Sequence, residues 1–342
     1  MSSRQARIAS IAKVSQSTVS RALRNHPDLP KETCLRIQSL AQRLGYSANP
    51  LLSSIFANLR RRRGSPEIGT LAFLTAHARQ NDWRNHPGSY RDFFDGARDR
   101  AAKQGFAVEA HWAAESGMPS HRLNSILHAR GISGVILSTR DAEQHFASLD
   151  WEQFALVRIG LSQQAFPVHC AVNDQYRTVR LVAGQLASRG YTRIGLALSG
   201  WQDEVTDHSW LAGYSVWQQS QPSRNRVPTL VAANFSDDAF FAWFKRHKPD
   251  AVISVNPDVV RWLRSAGISM PEKVGAAVLD WNEDCGDIAG ANQNSRDVGA
   301  AAVDILLGQL RRNERGVPER RRTVLIESSW RDGTTARQVH VG

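Results

Sequence analysis

An uneven division of charge constrains this chain more than any other feature. Residues 1–63 hold twelve of its 43 Lys and Arg but only two of its 32 Asp and Glu, Asp28 and Glu32. Positions 64–342 carry the other 31 basic and 30 acidic side chains and are close to neutral. One folded core does not sort its charges by position along the chain. The sequence therefore predicts a strongly basic module joined to a neutral globular body. The module suits a polyanion, and the body has a separate task.

At 342 residues the chain is long enough for two or three domains with sizeable cores. No apolar run approaches the roughly 20 residues of a membrane helix. The opening MSSRQARIAS lacks the apolar centre of a secretory signal, so the expected location is the cytoplasm. Cys34, Cys170 and Cys285 lie far apart, with no CxxC pair and no His at ligand spacing. They read as buried thiols of a reducing compartment, and no metal is expected.

Helical periodicity recurs three times in the basic module. Ile8, Ile11 and Ala12 form the first stripe, Val19, Ala22 and Leu23 the second, and Leu35, Ile37, Leu40, Ala41 and Leu44 the third. Lys13-Val14-Ser15 breaks the first two apart, with Ser15 placed to cap the second helix. Asp28-Leu29-Pro30 opens the third, and Gly45 closes it. Two short helices, a tight turn and a supporting third make a helix-turn-helix. Gln16 and Ser17 stand where such a helix meets base edges, and Arg21 follows one turn later. Gln pairs in two places with adenine, and Arg does the same with guanine. Ser15, Thr18 and Ser20 are short donors suited to phosphate oxygens.

The run VSQSTVSRAL at 14–23, with ETCLRI at 32–37 and LGYSANP at 44–50, resembles the N-terminal domain of the lactose-repressor (LacI/GalR) family of bacterial regulators. The resemblance implies that Gln16, Ser17 and Arg21 read bases, while Ser15, Thr18, Ser20 and Asn25 contact or orient toward the DNA backbone. Lys13 departs from the pattern, since the family usually places Gly in that turn. A positive φ there is mildly strained for a residue with a side chain. Residues 51–59, followed by Arg60 through Arg63, occupy the place of the family's hinge helix, which wedges an apolar side chain into the minor groove. Counting from Asn49 puts the wedge at Ile55, and counting back from the Arg run puts it at Leu59. A helix of about ten residues is marginal alone in water, so its ordering is expected on DNA and in a dimer.

From Ile68 onward the pattern changes to short apolar runs alternating with helical segments. Strands are expected at 68–74, 106–112, 134–138 and 155–160, with helices at 90–104, 119–130 and 141–149. A second series of strands follows at 193–198, 229–233, 250–255, 274–279 and 323–327. Such alternation predicts an α/β body of two lobes, each a parallel sheet covered on both faces, with a cleft between them. Lobe crossovers are expected near 169–174, 288–296 and 317–323. The element order resembles the periplasmic-binding-protein-like core of the same family. The full division is then a helix-turn-helix at 1–49, a hinge and basic linker at 50–65, a two-lobed core at 66–335 and a tail at 336–342.

Ligands of α/β lobes bind beyond the carboxyl ends of strands, where Asn256 and Asp280 fall, with Asp174 and Gln293 near the crossovers. Val172-Asn173-Asp174, Trp210-Leu211-Ala212-Gly213-Tyr214 and Leu279-Asp280-Trp281-Asn282 carry the resemblance here. It implies that Trp210, Asn256 and Asp280 contact an effector, with Asp174 and Gln293 nearby. Carboxylates, amides and aromatic faces suit a sugar or related polyol. Trp210 is a departure, because many relatives place Arg there. Two plainer readings stay open: Asp280 as a turn cap and Trp210 as core.

No nucleophile elbow, phosphate loop, HExxH or GxGxxG motif is present, so no enzyme and no cofactor are expected. His77, His86 and His111 read as polar surface, and the Arg run in 311–322 as a solvated helix end and loop, not a second nucleic-acid site. The resulting expectation is a ligand-responsive repressor whose homodimer binds a pseudo-palindromic double-stranded operator and a sugar-like effector. Two rivals are a cytoplasmic sugar-binding protein with a non-specific basic arm, and an architectural DNA binder with a vestigial cleft.

Overall fold

The apolar runs of the body become two six-stranded sheets, and the three stripes of the module become three helices. The computed structural model describes residues 4–23, 29–44, 69–77, 79–85, 90–114, 120–138, 149–161 and 167–338. Asn25, Gly45, Ile55, Leu59, Arg60 through Arg63, His86 and positions 141–148 lie outside the described residues.

In the module, α1 (Arg4–Ala12), α2 (Gln16–Ala22) and α3 (Lys31–Arg43) enclose Ile8, Val19, Ala22, Cys34, Ile37 and Ala41. The Ser15 hydroxyl caps α2 by accepting from the Thr18 amide at 3.1 Å. Lys13 holds the turn at φ +53°, the left-handed conformation that the family's usual Gly adopts freely. The Gln38 amide donates to the Ala22 carbonyl at 2.8 Å and ties α3 to the end of α2. Leu35, expected in the third stripe, is 63% exposed. It stands two residues from Ile37, about 200° around the helix, and faces away from the core.

The first sheet contains β1 (Gly69–Thr75), β2 (Phe106–Trp112), β3 (Gly134–Leu137), β4 (Ala155–Ile159), β5 (His169–Asn173) and β11 (Thr323–Ile326). Its order is β11-β5-β4-β3-β1-β2, all parallel. The second contains β6 (Ile194–Ser199), β7 (Leu230–Ala232), β8 (Ala251–Ser254), β9 (Gly275–Val278), β10 (Gly290–Asn292) and β12 (Ser329–Arg331). Its order is β12-β10-β9-β8-β6-β7, with only β12 antiparallel. Burial on both faces gives β3, β8 and β9 their mostly apolar character, while β4 and β5 also bury Arg158, His169 and Asn173.

Three expectations need correction. The segment at 169–174 is a crossover only at its end, because His169–Asn173 is itself a paired strand. The strand at 323–327 belongs to the first sheet, pairing with β5, and not to the second series. The third crossing therefore falls at Glu327–Ser328, between β11 and β12, and not at 317–323. Sequence order placed β11 in the wrong lobe, since its partner lies some 150 residues earlier, and no local pattern carries that information.

Helices α4 (Asp82–Asn85), α6 (Ser120–Ala129), α10 (Asp237–His247) and α11 (Asp258–Ser265) lie in connections between strands of one sheet. Helices α5 (Tyr90–Ala102) and α12 (Ser295–Arg312) cross closely over the first sheet. Glycine permits the contact: a Cβ at Gly96 would strike the Arg296 carbonyl, and one at Gly299 the Phe93 carbonyl. Helix α7 (Gln175–Ser188) covers the second sheet. His77 and His111 are half-buried and not surface groups. The His77 ring stands edge-on to Tyr90 at 4.9 Å, and burial holds the His111 pKa below its ordinary value. All three cysteines are buried and reduced.

Candidate functional site

Topology fixes where a ligand can lie. Strands β5, β10 and β11 each run at their carboxyl ends directly into a crossover. The other parallel strands of each sheet end on the same edge, so the two carboxyl edges face each other across the three crossings. Asp174 follows β5, Asn256 follows β8, Asp280 follows β9 and Gln293 follows β10, which sets four of the five expected effector residues on these edges.

Hydrogen bonds join the four into one frame. The Gln293 side-chain amide donates to the Leu279 carbonyl at 3.0 Å, beside Asp280. The Asp280 amide donates to the Val255 carbonyl at 3.0 Å, beside Asn256. The Asn173 amide, beside Asp174, donates to the Gln293 carbonyl at 3.2 Å, the Ile326 carbonyl at 3.3 Å and the Ser328 hydroxyl at 2.8 Å. One buried side chain thus bonds to all three crossovers. Thr178 completes the knot through Asn173 Oδ1 and the Ser328 hydroxyl.

Two of the acceptors already have local work. Asp174 is buried and caps α7, its Oδ1 accepting from the Arg177 amide at 3.0 Å. Asn256 Oδ1 accepts from the Asp258 amide at 3.3 Å at the start of α11. Asp280 is half-buried just beyond the carboxyl end of β9 and is likewise engaged. Trp210 differs from the rest. It opens the helix α9, Ser209–Gln219, is 4% exposed and packs among Val179, Tyr214, Val255 and Leu279. Its indole Nε1 nevertheless has no partner among the described residues, although a buried indole N–H ordinarily finds one. Trp281 shares that property, with Arg331 4.8 Å above its ring.

Sequence reasoning missed a further pair on this edge. After β6 the helix α8, Gly200–Val205, buries Asp203, whose Oδ2 meets His208 Nδ1 at 2.6 Å. Asp203 Oδ1 is buried and unpartnered among the described residues. His208 sits in a left-handed conformation, φ +55°, directly before α9. Its hydrogen bond to Asp203 and that carboxylate's charge hold its pKa above the ordinary value of 6.5. A spacing of five residues with no motif around it gave no signal.

In the basic module, Val19 and Ala22 turn inward while Gln16 and Ser17 are exposed and Arg21 is half-exposed. Ser17 and Arg21 stand four residues apart and share the face opposite the core. The Ser15 hydroxyl also lies 2.7 Å from that of Ser17 and 2.8 Å from that of Thr18, gathering three hydroxyls at the N-terminus of α2. Ser20 lies within the same helix.

The comparisons agree with this architecture. The family model for bacterial regulatory proteins of the lacI family matches residues 7–49, and that for a periplasmic binding protein-like domain matches 183–334. Together they take in more than half of the chain. No protein of curated function matches by sequence. Among solved structures, a complex of the transcriptional regulator CelR with cellobiose is 18% identical, covering 98% of this chain and 100% of that one at a TM-score of 0.57. The lac repressor dimer bound to operator and the anti-inducer ONPF is 19% identical over 97% of this chain and 98% of that one, also at 0.57. A lacI-family regulator from Enterococcus faecium with bound ribose is 16% identical over 78% and 98%, at 0.55. At these identities the structures establish the fold. With both family models in their expected order on a helix-turn-helix and a two-lobed body, the chain belongs to the lacI family of bacterial regulatory proteins.

Proposed function

We propose that this regulator is a repressor whose homodimer holds a pseudo-palindromic operator and responds to a sugar-like effector. Residues 1–49 read DNA, with Gln16, Ser17 and Arg21 on base edges and Ser15, Thr18, Ser20 and Asn25 toward the backbone. The hinge at 50–65 wedges Ile55 or Leu59 into the minor groove, and 66–335 form the effector and dimer core. A DNA reader of this kind works where the chromosome is, in the cytoplasm. Its role is binding and not catalysis.

The observation that carries the effector half is the single frame joining Asp174, Asn256, Asp280 and Gln293 to the crossovers. A ligand held between the carboxyl edges touches both lobes and changes their angle through those crossings. Coupling of this kind is typically about 1–3 kcal/mol, provided that the effector prefers one lobe arrangement. Similar structures hold cellobiose, glucose and ribose, so sugars are the first ligands to try. Trp210 contributes a buried N–H, unpartnered among the described residues, in place of a charged group, which favours a less polar sugar or a heterocycle. Calorimetric titration of the full chain with a panel of mono- and disaccharides, alone and with operator DNA, tests this. Binding whose affinity changes with DNA present supports it, and identical affinity in both states contradicts the coupling.

A further inference from the structure

The segment 311–322 holds six Arg and two Glu, and without it the rest of residues 64–342 carry 25 basic against 28 acidic side chains. A local charge of +4 thus stands on an otherwise slightly acidic body. The fold determines which edge it occupies. Helix α12 runs from the crossover at its N-terminus to the opposite edge, where the Gln309 amide donates to the Leu156 carbonyl at 2.8 Å, near the start of β4. Arg315 then donates to the Ser133 and Gln153 carbonyls, at 2.9 and 3.1 Å, just ahead of β3 and β4. The Arg322 amide donates to His169 Nδ1 at 3.0 Å, at the start of β5, and β11 begins at the next residue.

The whole segment therefore lies along the amino edge of the first sheet, away from the effector cleft. The chain that leaves the basic module enters β1 at Gly69 on this same edge. Strands β11 and β1 are four positions apart, about 19 Å at the usual strand spacing, roughly the width of a duplex.

Within the segment the arginines differ. Arg315 is held inside, Arg312 is paired with Glu314, and Arg311 donates to Gln104 at 3.3 Å. Arg320, Arg321 and Arg322 are all exposed, and their guanidinium groups make no ion pair or hydrogen bond among the described residues. Three adjacent unpaired cations repel one another, and an array of phosphates is the partner whose chemistry removes that repulsion.

We infer that Arg320, Arg321 and Arg322 form a second DNA contact, on the core itself, which grips operator phosphates beside the sites read by α2. The contact is with the backbone and carries no base information. The inference rests on the operator-binding reading above and extends it to a surface that the sequence pattern alone marks as solvated.

The test compares the full chain with Arg320→Ala/Arg321→Ala/Arg322→Ala on a duplex selected by the wild type and on a scrambled duplex, between about 50 and 200 mM salt. The expected result is a shallower dependence of log affinity on log salt, by about 0.9 for each phosphate no longer neutralised, equal on both duplexes and with base preference unchanged. The corresponding triple Lys variant is expected to keep the wild-type slope, and equal thermal midpoints for all three proteins exclude unfolding as the cause. A triple-Ala slope equal to the wild type overturns this inference alone. Failure of the wild type to prefer its selected duplex overturns the operator reading and this inference with it.

Discussion

The side-chain amide of Asn173 donates to the main-chain carbonyl of Gln293 at 3.2 Å, fastening the end of a strand in one lobe to the crossover that leaves the other. The same nitrogen reaches Ile326 and Ser328, so two N–H groups serve three acceptors around the pivot. The lobes turn about this knot in the mechanism proposed above. Asn173→Ala strands the buried Gln293 carbonyl and is expected to cost about 1–3 kcal/mol. Urea unfolding followed by tryptophan fluorescence measures it, and an unshifted midpoint contradicts the role given to Asn173.

Trp210 tolerates only apolar replacement. Trp210→Phe keeps a ring in the cluster with Tyr214 and Leu279 and is expected to cost less than about 3 kcal/mol. Trp210→Arg, the residue type expected there from the family resemblance, buries an unpaired charge among those side chains and costs more. Paired denaturation curves rank the two, and an Arg variant at least as stable as the Phe variant shows that this side chain reaches solvent.

The Asp203–His208 pair makes stability depend on pH. Since the folded pKa of His208 is raised, its contribution is full below the ordinary 6.5 and fades as pH rises through the folded value. The wild type should therefore lose stability on alkalinisation from about pH 6.5, relative to His208→Ala, in which this part of the dependence disappears. Parallel curves for the two proteins across that window contradict the pairing.

Lys13 keeps a left-handed backbone in the turn before α2. Replacement by Gly relieves about 1–2 kcal/mol of strain and restores about 0.4–1 kcal/mol of unfolded-state freedom, for a net gain near 1 kcal/mol. Amide exchange at Val19 and Ala22 reports it as slowing by about fivefold. Faster exchange contradicts the strain argument.

Arg21 faces away from the Val19 and Ala22 core. Arg21→Ala is expected to lose about 1–3 kcal/mol of operator affinity and to relax base choice at one position. Loss that is equal on every sequence marks Arg21 as a phosphate anchor instead.

Local pattern made much of this fold legible. The strand at 106–112 matches the apolar run between Gly105 and Ala113, and Ser15 caps α2 as its place before the second stripe requires. What escaped depends on partners distant in sequence. Gly290–Asn292 and Ser329–Arg331 are three-residue strands with no apolar run, defined by pairing: the first with β9 and β12, the second with β10. Asp174, Asn256, Asp280 and Gln293 were legible as strand-end residues. The burial of Trp210 matches the plainer of its two readings, whereas the engagement of Asp174 and Asn256 as caps and the Asp203–His208 pair emerge only from packing.

The most direct test is selection from randomised duplexes at about 150 mM salt, comparing the full chain with one beginning at Gly64. The account predicts a pseudo-palindromic consensus recovered by the full chain and no enrichment by the shorter one. Equal enrichment by both, or none by either, contradicts it.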